Sequence, residues 1–143
     1  MTPNDSFKPT PHSGGFTQAL APMKTLEDVL GKVNRADIAF GKEINSATTE
    51  LSFGETALHV VAIWGNAEAI EVLVSNGANI DKAGENGFTP LHYAVEQNMP
   101  DAVKTLLRLG AKSLTNHDGR TPGELARLLG NKEIDQILAA HGF

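Results

Sequence analysis

Cysteine is absent from the 143-residue chain, which excludes disulfides and thiolate metal sites and leaves the redox compartment undefined. Aromatic side chains are scarce, at 6%, with a single tryptophan and a single tyrosine. Basic residues are outnumbered, 12 against 17 acidic ones, giving a formal net charge of −5. Affinity for nucleic acid or anionic lipid depends on clustered Lys and Arg, so this balance disfavours both and suits a basic protein partner. No apolar run approaches the roughly 20 residues needed to span a bilayer. The opening MTPNDSFKPT has neither the basic start nor the apolar stretch of a signal peptide, so a soluble cytoplasmic protein is expected. The 41% apolar content is enough for one continuous core.

Internal repetition dominates what is present. The block GETALHVVAIWGN at Gly54–Asn66 returns 33 residues later as GFTPLHYAVEQNM at Gly87–Met99, and a weaker copy, GRTPGELARLLGN, begins 32 residues further on at Gly119. Such a period describes a stack of small units, each able to bury its apolar face only against a neighbour. Ala57, Leu58, Val61 and Ala62 fall at helical spacing after Thr56, and Leu91, Ala94 and Val95 do so after Thr89. Second helices follow, with Ile70, Val72 and Leu73, then Val103, Leu106 and Leu107, as apolar stripes between polar positions. Pro90 and Pro122 suit a first helical turn, where a missing N–H costs nothing. Gly65 and Asn98 are expected to make left-handed turns between paired helices, and Gly77 and Gly110 to end second helices. The last unit has Gly123 and Glu124 where the others carry Leu and His, which reads as a cap with one wet flank.

Upstream, Thr25-Leu-Glu-Asp28 has the form of a capping box and predicts a helix that Gly31 ends near Leu30. Asn34-Arg-Ala-Asp37 repeats the pattern and predicts a second short helix through Phe40. Residues 1–22 hold four of the seven prolines and no apolar period, and read as a flexible arm in which Phe7 and Phe16 are free to dock.

The Thr-Pro-Leu-His core, the glycine between two helices and the closing Gly-Ala together resemble the ankyrin repeat, over roughly residues 23–143. The resemblance implies an all-α helical repeat solenoid with β-hairpin fingers, a stack of about four helix-turn-helix units. The units would be 23–53 (N-terminal cap repeat), 54–86, 87–118 and 119–143 (C-terminal cap repeat). From closing to opening glycine the linking fingers measure 13 residues (Gly41–Gly54), 10 (Gly77–Gly87) and 9 (Gly110–Gly119). Leu51 and Phe53 alternate with polar neighbours in the longest one, as an exposed extended ribbon would.

His59 and His92 stand at matching places in the Thr-x-Leu-His block. Their repetition reads as structural, the imidazole bonding the Thr hydroxyl and nearby backbone. Zinc needs three or four converging ligands, and His12, His117 and His141 are scattered. No phosphate-cradling GxxxxGK[ST] and no Ser-His-Asp spacing occurs, so no catalytic residue, cofactor or metal is assigned and the chain is read as a non-enzyme.

What the resemblance implies instead is a protein-binding face on the finger tips and the exposed side of the first helices. Carried over by position, this selects Ser52, Phe53, Glu55, Ile63 and Trp64 in the first full repeat. In the second it selects Glu85, Asn86, Phe88, Glu96 and Gln97, and in the cap His117, Asp118 and Arg120. Aromatic anchors among polar groups have the character of interface hot spots. The alternative for Trp64 and Phe53 is packing, Trp64 against the first finger with Phe53 covering its base. The expected function is an adaptor or stoichiometric inhibitor, monomeric when unbound, that binds one basic protein. The alternatives are a bacterial immunity protein against a basic toxin, or a passive scaffold whose arm carries the recognition motif.

Overall fold

A computed structural model describes residues 22–36 and 42–143. The arm, apart from Pro22, and the helix end expected at Asp37–Phe40 lie outside these residues. Among the described residues there are seven α-helices: α1 Leu26–Arg35, α2 Ala57–Trp64, α3 Ala67–Ser75, α4 Pro90–Glu96, α5 Pro100–Arg108, α6 Pro122–Leu129 and α7 Lys132–Ala140. Helices α2, α4 and α6 lie side by side as an inner row, and α1, α3, α5 and α7 form an outer row packed on it. The core runs between the rows, with Leu58, Ile70, Leu73, Leu91, Leu106, Ile134 and Leu138 fully buried.

The helix starts follow from their sequence. The Thr89 hydroxyl accepts from the His92 amide at 3.3 Å and the Thr121 hydroxyl from the Glu124 amide at 3.2 Å. Each such cap contributes about 1 kcal/mol. Glu124, standing where the other repeats have histidine, returns a carboxylate oxygen to the Thr121 amide at 3.0 Å. The cap repeat thus keeps the reciprocal bond with an exposed side chain that needs no following repeat. The turns after α2 and α6 are left-handed at Gly65 and Gly130 (φ 73° and 74°), and Asn98 adopts φ 57° at the equivalent place. Glycine at 65 has a second reason: a Cβ there would lie 2.6 Å from Met99 Sδ.

The first unit differs from expectation. α1 does not stop at Gly31 but continues to Arg35, because Val29, Leu30 and Val33 form one stripe buried against α2 and α3. That burial outweighs the roughly 1 kcal/mol helix penalty of a glycine. Asn34 is therefore no N-cap. Its side-chain amide instead pairs with the backbone of Ile44, donating to the carbonyl and accepting from the N–H at 2.9 Å each. The unit supplies one described helix, in the outer row.

No strand occurs among the described residues, so the expected β-hairpin fingers take another form. Each loop is closed by one backbone bond: Leu51 N–H to Glu55 O at 2.6 Å, Gly84 to Phe88 at 2.8 Å, and Asn116 to Arg120 at 2.9 Å. In the first two loops a single 3₁₀ turn, Ser52–Gly54 or Glu85–Gly87, forms the tip. The longer first loop does not extend as a ribbon. It coils around Ala47, which is buried, with Thr49 Oγ1 accepting from the Ser46 amide at 3.1 Å and donating to Asn45 at 3.0 Å.

Candidate functional site

The loop tips are built by left-handed residues. Phe53 (φ 63°) and Asn86 (φ 58°) occupy matching positions, each followed by a left-handed glycine, Gly54 or Gly87. Asparagine tolerates this region, whereas a bulky residue there is an outlier. Phe53 is also 72% exposed, so it gains little packing in return. Backbone strain held without local compensation is a feature of functional positions. Phe53 does not cover the base of the loop, and that packing alternative falls.

Neighbouring tips brace each other. The His117 amide donates to Asn86 O at 2.9 Å, and a Cβ on Gly87 would meet His117 Cδ2 at 2.5 Å and its backbone nitrogen at 2.8 Å. Lys82 pairs with Glu50 at 2.8 Å between the first and second loops, and Asp81 accepts from the Lys112 amide at 2.9 Å between the second and third. The Asn116 side chain, buried in the third loop, accepts from the amides of Asp118 at 2.9 Å and Arg120 at 3.0 Å. Ser52, Glu85, Asn86, His117, Asp118 and Arg120 are thereby presented, exposed, along one edge.

The two repeated histidines lie behind this edge and serve it structurally. His59 Nδ1 accepts from the Thr56 amide at 3.0 Å, which leaves Nε2 to donate to Lys82 O of the next loop at 2.8 Å. His92 repeats the arrangement with the Thr89 amide at 3.2 Å and Arg120 O at 3.0 Å. Each imidazole ties its own helix start to the following loop. Burial pushes both pKa values below the ordinary histidine value, and the backbone acceptors oppose that only in part. Among the described residues no group of three His, Asp or Glu converges as a metal site would require.

Under the tips, the chain's one tyrosine gathers several of the expected residues. Tyr93 donates its hydroxyl to Glu55 of the preceding repeat, and its ring lies 5.2 Å from Phe88 and 5.7 Å from the His59 ring, edge-on to the latter. Burial first, then the Glu55 bond and the fields of Glu55, Glu85 and Glu96, raise its pKa far above the usual phenol value. Phe88 is half-buried here and packs on the His92 and Tyr93 rings, so it is as much a wall of the core as a contact surface. Tyr93 was not selected from the sequence. The available signal was that it replaces the aliphatic Val60 and Leu125 at the same repeat position.

Ile63, Trp64, Glu96 and Gln97 lie apart from the tips, at the opposite ends of α2 and α4. Ile63 and Trp64 are half-buried, Trp64 against the core, while Glu96 and Gln97 are exposed. The matching places on α6 hold Leu128 and Leu129, exposed by 61% and 46%. The cap-like Gly123 and Glu124 of the final unit give no sign of these two leucines. Their register within GRTPGELARLLGN would have found them.

Comparison with known proteins agrees with this architecture. The family described as ankyrin repeats (3 copies) matches residues 30–117. Protein phosphatase 1 regulatory subunit 27 of Homo sapiens is 40% identical over 85 residues, covering 59% of this chain and 54% of that protein. Its Mus musculus counterpart is 41% identical over 73 residues, 50% of this chain and 47% of that protein. The Neurogenic locus Notch protein of Drosophila melanogaster is 32% identical over 130 residues, 89% of this chain and 5% of that protein. The chain thus spans about half the length of the first two relatives.

Proposed function

We propose a function from one premise: this chain belongs to the ankyrin-repeat family, whose members are protein–protein interaction modules. It binds one partner protein through the loop tips and the open face of the inner helices, as an adaptor or a stoichiometric inhibitor. No covalent chemistry is involved; the effect on the partner comes from burying part of its surface. The observation that carries this reading is Phe53, a large apolar side chain held in a left-handed conformation at a braced tip and left 72% exposed. The backbone that carries this side chain is already fixed, so only the side chain's own rotamer freedom is lost when it enters a partner's pocket. Glu55, Glu85 and Glu96 around the Tyr93 hydroxyl favour a basic partner and would speed encounter with it. Two relatives carry the name of a phosphatase regulatory subunit, and a role in which binding alone alters an enzyme suits this chain as well. We assign residues 23–143 to the repeat domain, behind an arm at 1–22, and take the unbound protein to be a cytoplasmic monomer.

The test is affinity capture from the native organism, comparing wild type with Phe53→Ala and with a Phe53/Trp64/Phe88→Ala variant of verified fold. One stoichiometric basic protein held by wild type and lost by both variants supports the reading. A partner held equally by all three moves the site off this face.

A further inference from the structure

The inner row presents a second feature besides its tips. At the helix ends away from the loops, two positions repeat in register over three units: Ile63 and Trp64 ending α2, Glu96 ending α4 with Gln97 just after it, and Leu128 and Leu129 ending α6. α2 packs on α4 and α4 on α6, so these pairs form a row of apolar, acidic, apolar character across the open face. Both leucines are well exposed, which is uncommon for adjacent large apolar residues. Glu96 is exposed and has no ion pair among the described residues, and Arg127, next to the leucines in the chain, is engaged by Asp135 at 3.3 Å. A central basic group on the partner would therefore meet an uncompensated carboxylate.

We propose that this row is a docking site for an amphipathic helix of the partner protein, bearing apolar residues at i and i+14 and a Lys or Arg at i+7. The proposal rests on the reading that the open face binds protein, and it names the chemistry of the occupant. The spacing selects the helix. Packed helices stand about 8–10 Å apart, so successive pairs in the row repeat at that interval. Seven residues of α-helix advance about 10.5 Å and return to nearly the same face. An extended strand fits worse: two residues advance about 6.6 Å and four about 13 Å, while the three-residue step that matches the distance turns the side chain to the opposite face. Trp64 and Ile63 seat one apolar end, Leu128 and Leu129 the other, and Glu96 takes the basic residue between them.

The probe is a phage-displayed library of 18-residue helical peptides randomised at i, i+7 and i+14, selected on the full chain. Clones should converge on an apolar, basic, apolar pattern, and their synthetic peptides should change the emission of Trp64, the only tryptophan. Leu128→Ser and Glu96→Lys, both at exposed positions, should each weaken these peptides about tenfold, one anchor's worth. Replacing the peptide's basic residue by Glu should restore binding to Glu96→Lys. Selection without a basic centre, clones indifferent to both substitutions, or no selected clones at all would overturn the proposal. The captured partner separates this failure from that of the broader reading. A partner lost with Phe53→Ala yet unaffected by Leu128→Ser and Glu96→Lys leaves the binding face standing and removes the helix site.

Discussion

Replacing Phe53 by asparagine should leave the protein as stable as before or more so, against the usual rule for truncating a large apolar residue. Two contributions set the sign. A non-glycine residue in the left-handed region costs roughly 1–2 kcal/mol, and asparagine, which Asn86 already supplies at the matching tip, visits that region routinely. Against this stands the lost packing. Full burial of a phenylalanine contributes about 1.5–3 kcal/mol, but Phe53 is 72% exposed, so the removed contact amounts to only about 0.4–0.8 kcal/mol. The net expectation is a gain of between about 0.2 and 1.6 kcal/mol. Urea denaturation followed by far-UV circular dichroism measures it, with Phe88→Ala as the contrast. That residue packs on the His92 and Tyr93 rings, so its truncation should cost about 2 kcal/mol or more. A loss above 1 kcal/mol for Phe53→Asn would refute the reasoning, because it would mean that the side chain is packed in solution and not offered to a partner.

Stability should also fall in mild acid. The buried imidazoles of His59 and His92 have pKa values below the ordinary 6.5, so below that pH the unfolded chain binds protons that the folded chain resists. The contribution is intact above pH 6.5 and erodes beneath it, by at most about 2 kcal/mol per histidine at pH 5. Urea midpoints at pH 7.5 and 5.0 check this, and His92→Gln should flatten part of the slope. Gly87→Ala should cost at least about 2 kcal/mol, since it combines φ 74° with a Cβ 2.8 Å from the His117 nitrogen; a thermal melt near wild type would show that the tips move apart freely. Tyr93→Phe should lose about 1 kcal/mol, and a double-mutant cycle with Glu55→Ala should recover a coupling of that size, as expected for a half-exposed bond to a carboxylate.

How much of this was legible in the sequence follows the range of the forces involved. The 33-residue register, the Thr caps of α4 and α6, the glycine and asparagine turns at 65 and 98 and the structural use of both histidines were all open to reading. The caps, the turns and each imidazole's bond to its own Thr amide are decided within three or four residues, and the histidines' second bonds, to Lys82 O and Arg120 O, recur with the repeat. The binding face was legible only as register: the sequence placed Phe53 level with Asn86, Ser52 with Glu85 and Ile63 with Glu96 without showing which were strained, half-buried or free. It passed over Tyr93, whose hydroxyl bonds Glu55 at a separation of 38 residues, and the leucines at 128 and 129.

Tertiary structure decided the rest wherever packing competed with a local preference. Gly31 carries a local signal to stop a helix, yet α1 runs through it because Val33 is buried beyond it. Asn34 carries the signal of a cap, yet bonds Ile44 across ten residues. Local chemistry therefore determined where the repeats begin, turn and end. Which side chains are left standing at the surface was settled only by what the neighbouring repeat covers, and that is a property of the stack.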